Sequence, residues 1–290
     1  MSLTSLLLVI LAAFFHALWN LLAKQAADAG PPFVFAYTLL SSLLYLPWIA
    51  WIIISDGMAW SLPILGCIVV SGAIHLAYSL CLQKGYRVAD LSVVYPVARG
   101  SAPLLSTLGA FLILAEVPST KGVLGAIAVV VGIGFIATQG QWALFRQASA
   151  QQGIRWGLGT GLLIAAYTVV DAYGVKMLLI APVVLDWCAN TVRVGMLLPW
   201  MIPQRARALQ VMRGRWHLAL AIALLSPLSY ILVLSALSSG APLSLVAPAR
   251  EMSMMLGLLL AMLLLHERLG RWRFAGCLCV MLGVILLGMS

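Results

Sequence analysis

The sequence predicts an all-helical polytopic membrane protein, with ten transmembrane helices arranged as two inverted repeats of five. The first observation is compositional: 63% of the residues are hydrophobic and 9% are charged. A soluble domain carries about 25% charged residues. A water-soluble fold could not cover this much apolar surface, so most of the chain must face lipid. The second observation is that the apolar residues form runs of about 20, the length that crosses a bilayer.

The third observation is an internal duplication. Arg99 begins an apolar run that ends at Glu116, and Arg250 begins a second run, with the same spacing, that ends at Glu267. The glycines that follow keep the same register, in which Gly125 and Gly132 match Gly276 and Gly283. A duplicated apolar chain with polar residues inside each copy is typical of carriers whose site lies between two repeats.

The first repeat is predicted to cover residues 1–139. Its first span, 3–24, has no positive residues before it and is too long for a signal peptide, so it is expected to be retained. The next spans are predicted at 33–54, 61–82, 92–114 and 121–139. The breaks between the spans are Gly30-Pro31-Pro32, Ser55-Asp56-Gly57, Lys84-Gly85 and Val117-Pro118-Ser119. Glycine, proline and polar clusters of this kind end helices.

The second repeat is predicted to cover residues 155–290, after a linker loop at 140–154. Its spans are predicted at 155–178, 183–202, 216–237, 243–265 and 271–289. The breaks are Ala181-Pro182, the segment 203–215, Ser238-Ser239-Gly240 and the segment 266–271. Five spans is an odd number, so the second copy must enter the membrane from the opposite side. The repeats are therefore expected to be related by an axis in the membrane plane.

Lysine and arginine are divided unequally between the two sets of loops. The loops after spans one, three, five, seven and nine hold 12 of them, and the opposite loops hold only Lys121 and Lys176. The positive-inside rule places the first set in the cytoplasm and both termini outside, in a cell (inner) membrane. The net charge of +9 thus follows from membrane topology. The basic residues do not form one patch with aromatic residues, so no nucleic-acid partner is expected.

Two buried arginines are the main polar feature of the predicted spans, where a charge costs about 3 kcal/mol on insertion scales. Arg99 and Arg250 lie near the middle third of the membrane, and Pro96 and Pro248 shortly before them are expected to break the helices. Such an arginine either faces a cavity and contacts a substrate or pairs internally with a carboxylate such as Glu251.

Other polar side chains recur at helical spacing on several spans. His16 and Asn20 share one face of span one, and Tyr167 and Asp171 occupy the matching positions of span six. Similar stripes are formed by Ser71, His75 and Tyr78, by Ser226, Ser229 and Tyr230, and by Asp186, Asn190 and Arg193. Taken alone, each of these side chains is as well suited to a hydrogen bond with a neighbouring helix as to a contact with substrate. Their recurrence in matching pairs favours a shared central site.

Glycines and cysteines are assigned to packing. The pairs Gly125/Gly132 and Gly276/Gly283 are each two helical turns apart, a spacing that lets helices approach closely. Gly157-x-Gly159-x-Gly161 has no preceding strand and no following Lys-Ser/Thr, so it is not a phosphate loop. All five cysteines lie in apolar runs. Neither a metal nor a cofactor is expected.

Three motifs connect the chain with a known family: His16-Ala17-Leu18-Trp19-Asn20-Leu21-Leu22, Tyr95-Pro96-x-x-Arg99-Gly100 and the two spans that end in glutamate. Together they resemble the EamA family of the drug/metabolite transporter superfamily, over the whole chain. The resemblance implies a ten-span carrier whose central cavity is lined mainly by spans one, three, four, six, eight and nine. Members often export amino acids or other small metabolites. The related small multidrug-resistance proteins carry a glutamate in their first span, where this chain has His16.

We therefore expect a secondary-active exporter of a small polar, zwitterionic or anionic metabolite such as an amino acid, working by alternating access, and not an enzyme. The expected substrate-binding residues are His16, Trp19, Asn20, His75, Tyr78, Tyr95, Arg99, Tyr167, Asp171, Tyr230, Arg250 and Glu251. The arginines suit an anionic group, and the two carboxylates suit an amine. The expected partners are this substrate and the lipid bilayer, and protons are the candidate coupling ion because histidine titrates near neutral pH.

Two alternatives remain open at this point. One is a flippase for a lipid-linked sugar, which would need a lateral opening to lipid. The other is a membrane-embedded enzyme that acts on lipid phosphates, since paired arginines and histidines suit phosphate chemistry. The absence of an aspartate-rich metal motif and the short predicted loops argue against the enzyme.

Overall fold

The computed structural model of the chain describes residues 1–26, 29–57, 60–89, 91–141, 143, 150–265 and 270–290, which form helices and no strands. The first half contains α1 (Leu3–Lys24), α2 (Gly30–Asp56), α3 (Leu62–Val88), α4 (Leu91–Ile113) and α5 (Thr120–Thr138). The second half contains α6 (Ala150–Lys176), α7 (Pro182–Met201), α8 (Arg205–Met212), α9 (Trp216–Ser238), α10 (Leu243–Arg250), α11 (Met252–Leu265) and α12 (Arg271–Gly288). Among the described residues, 7 helices are long and apolar enough to cross a membrane.

The number of helices differs from the ten predicted spans for two reasons. Helix α8 lies inside the predicted connection 203–215, and its Arg, Ala, Leu, Gln and Met residues all favour helix. The ninth predicted span, 243–265, is divided at Glu251 into α10 and α11. The glutamate expected at the end of this span, Glu267, lies outside the described residues together with 266, 268 and 269.

Only one of the two predicted proline breaks is present. Helix α4 runs through Pro96 without interruption, so the break predicted there is wrong. Pro96 removes one helical hydrogen bond, the one to the carbonyl of Ser92 in the first turn, and the helix continues past this loss. In the second half, α10 ends two residues after Pro248. The pseudo-symmetry of the two repeats is therefore broken at this position.

The first half compensates for the proline in the second half. Pro248 has no N–H, so the carbonyl of Ser244, one turn earlier, has no donor within α10. The hydroxyl of Thr107 on α4 donates to this carbonyl over 3.4 Å. A buried carbonyl thus finds its partner in the other repeat.

Helices α5 and α12 pack through reciprocal glycine contacts. A Cβ atom at Gly132 would lie 2.7 Å from the carbonyl oxygen of Gly276, and a Cβ atom at Gly276 would lie 2.7 Å from that of Gly132. Gly125 and Gly283 approach each other in the same way. The pairing of 125 with 283 and of 132 with 276 makes the helices antiparallel about a local two-fold axis. The packing role predicted for these glycines is confirmed.

A methyl group at this contact should destabilise the protein. Gly132→Ala would place a Cβ atom against backbone, which cannot move aside as a side chain can, and we expect a loss of about 1–2 kcal/mol. The measurement is the melting temperature of the purified protein in detergent. Gly195→Ala on α7 is the matched control, because a Cβ atom there meets nothing within 4 Å. Equal melting temperatures for the two variants would contradict the proposed tight contact.

Glycines also set the approach of α6 to α4. A Cβ atom at Gly157 would lie 2.7 Å from Val97, and one at Gly161 would lie 3.0 Å from the carbonyl oxygen of Ala98. Gly153, one turn earlier, faces Val93 in the same way. The glycines that superficially suggest a phosphate loop are thus the contact face of a membrane helix.

Candidate functional site

A buried charge cluster joins α1, α4 and the junction between α10 and α11. The Arg99 Nη1 atom lies 3.3 Å from Glu251 Oε1, and Arg99 Nη2 lies 2.9 Å from His16 Nε2. Glu251 has no exposed surface. Because a guanidinium only donates, His16 Nε2 must accept, which assigns a neutral imidazole with its proton on Nδ1. Arg99 therefore makes the internal pairing that was one of its two predicted roles.

Arg250 belongs to the same cluster but has fewer partners. Its Nη2 atom lies 3.8 Å from Glu251 Oε1, and within the described part of the chain its buried Nε atom has no hydrogen-bond partner. The residue is 5% exposed. Arg250 thus retains a hydrogen-bond donor for a ligand, whereas Arg99 already donates to Glu251 and His16.

The start of each cluster helix shows which positions of the repeats correspond. Helices α4 and α10 both begin with Leu-Ser, and each has a proline at its sixth residue. This alignment matches Arg99 with Glu251, whereas the glycine register downstream matches Arg99 with Arg250. A residue on a two-fold axis contacts its own counterpart. In the register given by the helix starts, the contact between Arg99 and Glu251 joins corresponding positions of the two repeats.

A second cluster surrounds Asp171 on α6. Its Oδ2 atom accepts a hydrogen bond from the Tyr230 hydroxyl over 2.5 Å and lies 3.0 Å from His75 Nε2. The His75 ring stacks on the Tyr167 ring with centroids 3.8 Å apart, and the centroid of the Tyr78 ring lies 5.7 Å from that of Tyr167. Asp171 Oδ1 is buried and has no hydrogen-bond partner among the described residues. The cluster therefore offers one carboxylate oxygen enclosed by aromatic rings.

The remaining predicted residues lie around the first cluster. The Tyr95 ring centroid is 5.7 Å from Arg99 Cζ, and the Trp19 ring meets His16 edge to face at 5.0 Å. Asn20 donates to the His16 carbonyl over 2.7 Å, a contact within α1. The structure thus gathers the predicted substrate-binding residues into two clusters. Contact of any of them with a substrate remains a prediction.

Some predicted polar stripes serve helix packing. On α7, Asn190 donates to the Thr38 carbonyl on α2 over 2.9 Å and to Ser42 Oγ over 3.0 Å, and Arg193 donates to Asn190. On α9, Ser229 donates to the carbonyl of Ala12 on α1. These hydrogen bonds join neighbouring side chains and helices inside the protein, which is the usual role of polar residues between membrane helices.

Glu116, which in the sequence marks only the end of an apolar run, forms a contact between the two repeats. It follows α4, and its carboxylate accepts hydrogen bonds from the N–H groups of Leu243 and Ser244, from the Ser244 hydroxyl and from Lys176 Nζ. Partial burial alone would raise the pKa of Glu116, but these hydrogen bonds bring the pKa below its ordinary value. The sequence signal was present, because a carboxylate suits the N-terminus of a helix.

Comparisons with known proteins agree with this architecture. A solved crystal structure matches 97% of this chain and 98% of its own at 14% identity, with a TM-score of 0.71, and shares the fold. No curated protein sequence matches. No group of three or more metal-ligating side chains occurs within the part of the chain that the structure describes. The profile of the EamA-like transporter family matches residues 3–138 and again 151–289. The chain therefore belongs to the EamA-like transporter family and is a multi-pass membrane protein.

Proposed function

We propose that the chain is a secondary-active exporter of a small zwitterionic metabolite such as an amino acid. The observation that carries this proposal is a pair of buried groups of opposite charge, Arg250 Nε and Asp171 Oδ1, each without a hydrogen-bond partner among the described residues. A carboxylate on the substrate would accept from Arg250, and an ammonium group would donate to Asp171. Both groups would recover the hydrogen bonds that burial otherwise denies them.

The charges of the two clusters support this arrangement. Arg99 and Glu251 form an ion pair, so Arg250 leaves the first cluster with an excess positive charge. Asp171, which among the described residues is paired with the Tyr230 hydroxyl and His75, provides the negative charge of the second cluster. A dipolar substrate matches this polarity, whereas a simple anion or cation would leave one group without a partner.

The transport cycle that we propose is alternating access about this central site. The reciprocal glycine contacts between α5 and α12 support two inverted repeats, because antiparallel membrane helices can only be exchanged by a two-fold axis in the membrane plane. We count ten membrane crossings, with α10 and α11 as one interrupted span. This count, with both termini outside an inner membrane, fits the distribution of charge among the loops. Protons remain the proposed coupling ion, and His16 and His75 the candidates that carry them.

Removal of Arg250 tests the polarity of the site. For Arg250→Ala, we expect the affinity for a zwitterionic amino acid to fall about tenfold, since one charge-assisted hydrogen bond is lost. Binding of the corresponding amine, which has no carboxylate, should change little. Asp171→Asn should likewise weaken the binding of the zwitterion. Binding of the corresponding carboxylic acid, which has no amine, should change little. The measurement is ligand-dependent thermal stabilisation, followed by flux from liposomes.

Two outcomes would contradict the proposal. Wild-type protein that binds amine, acid and zwitterion equally well would show that the two charges do not act together. If the unmodified protein accelerated uptake of the substrate into cells but not its efflux, the proposed direction of export would be wrong. Lys121→Gln is a suitable charge control because Lys121 is exposed at the start of α5, away from both clusters.

A further inference from the structure

A cavity of about 510 Å³ lies at one end of the bundle, apart from the central clusters. It is formed by the start of α2, the ends of α3 and α7, and α8. Most of its wall is apolar and includes Pro31, Leu80, Met201 and Val211. No residue of the predicted substrate site lines it, so this cavity differs from the proposed transport site. The size is ample for a lipid headgroup and the first part of an acyl chain.

The polar lining of the cavity is concentrated at two cations. Lys84, near the end of α3, and Arg207, on α8, both line it and are exposed, and Gln204 lies between α7 and α8. Neither cation makes an ion pair or a hydrogen bond with any described residue. Trp200, also exposed, completes this end of the wall. Tryptophan beside lysine and arginine is typical of the level of lipid headgroups.

The three connections that form the cavity share one face of the membrane. They follow the first, third and seventh predicted spans, and the charge distribution assigns all three to the cytoplasm. Lys84 and Arg207 therefore face the leaflet that carries anionic lipids. The planar guanidinium group of arginine can donate two parallel hydrogen bonds to a phosphate, and the ammonium group of lysine adds a compact positive charge.

We propose that this cavity binds one anionic phospholipid, with the phosphate between Lys84 and Arg207 and an acyl chain along the apolar wall. A soluble phosphate ester would use the same two cations but would leave the apolar wall without a partner. Basic cavities between membrane helices recognise acidic headgroups in this manner. The lipid is a resident ligand and not the cargo, because none of the central charges lines the cavity.

The test counts lipids bound to the detergent-purified full chain by native mass spectrometry. Phosphatidylglycerol should bind with saturation at one copy, and phosphatidylcholine should bind more weakly and without saturation. The double variant Lys84→Gln/Arg207→Gln should weaken phosphatidylglycerol binding about tenfold or more. The matched control Lys121→Gln/Arg271→Gln also removes one lysine and one arginine, both exposed and outside the cavity, and should bind as wild type.

A steric variant and a soluble competitor complete the test. Ala208→Trp fills the cavity from α8 with both cations intact and should also abolish saturable binding, so the proposal remains testable if the charge variant does not fold. sn-Glycerol 3-phosphate should not displace the lipid at equal concentration. Equal binding of the two lipids, equal loss in the control, or full displacement by the soluble phosphate would each overturn the proposal.

Discussion

Arg99→Ala should destabilise the folded protein by about 3–5 kcal/mol, the usual cost of removing one partner of a buried ion pair. The reason is that Glu251 has no exposed surface, and Arg99 is its nearest cation. The measurement is the melting temperature in detergent, together with the yield of folded protein. Arg99→Ala/Glu251→Gln should recover much of the loss, because it removes the buried charge that the single variant leaves with only the more distant Arg250.

Two further variants separate a structural role from a substrate contact. Arg99→Lys should restore most of the stability through Glu251 but not the second hydrogen bond to His16, because an ammonium group lacks the planar fork. Arg250→Ala removes the same charge from the same cluster, and should cost less stability because Glu251 keeps Arg99. A wild-type melting temperature for Arg99→Ala, combined with lost binding, would instead assign Arg99 to the substrate.

Glu116→Gln should destabilise the protein by about 1.5–3 kcal/mol, the range for hydrogen bonds to charged groups. The carboxylate holds the N-terminus of α10 and Lys176 at once, and an amide cannot accept on both sides in the same way. The loss should appear as a lower melting temperature at pH 7. Lys121→Gln, an exposed residue on the neighbouring helix α5, should leave the melting temperature unchanged.

The effect of Glu116 should also depend on pH in a defined direction. Its pKa is lowered in the folded protein, so its stabilisation is complete above the unfolded pKa of about 4.3 and is lost as the pH falls through the folded pKa. The difference in melting temperature between wild type and Glu116→Gln should therefore be constant near neutrality and shrink below about pH 4. A difference that persists undiminished in acid would exclude the carboxylate as its source.

Helix positions could be predicted because they depend on residue type along the chain. Apolar runs bounded by glycine and proline locate helices to within a few residues, as for α5, predicted at 121–139 and found at Thr120–Thr138. The packing role of the glycines on α5 and α12 could also be predicted, since spacing alone places each pair on one helical face. Both features are local, and composition and periodicity report them directly.

Partnerships between distant residues could not be predicted in the same way. The sequence presents Arg99 and Arg250 as equivalent, but the direction of Glu251 at the α10–α11 junction decides which of them is paired. The stripe on α7 resembles a ligand site, and only the position of α2 shows that Asn190 is satisfied by Thr38. Proline alone also does not break a helix, because α4 continues through Pro96 whereas α10 ends soon after Pro248.

The ion pair between Arg99 and Glu251, which joins the two repeats, restricts how the chain can be assembled. If two copies of the first repeat associated as a symmetric dimer, the axis would bring one Arg99 against the other with no carboxylate between them. Two copies of the second repeat would bring Glu251 against Glu251 in the same way. Like charges in a buried position repel each other strongly. Each half therefore carries the counter-charge of the other, which neither half can replace by pairing with itself.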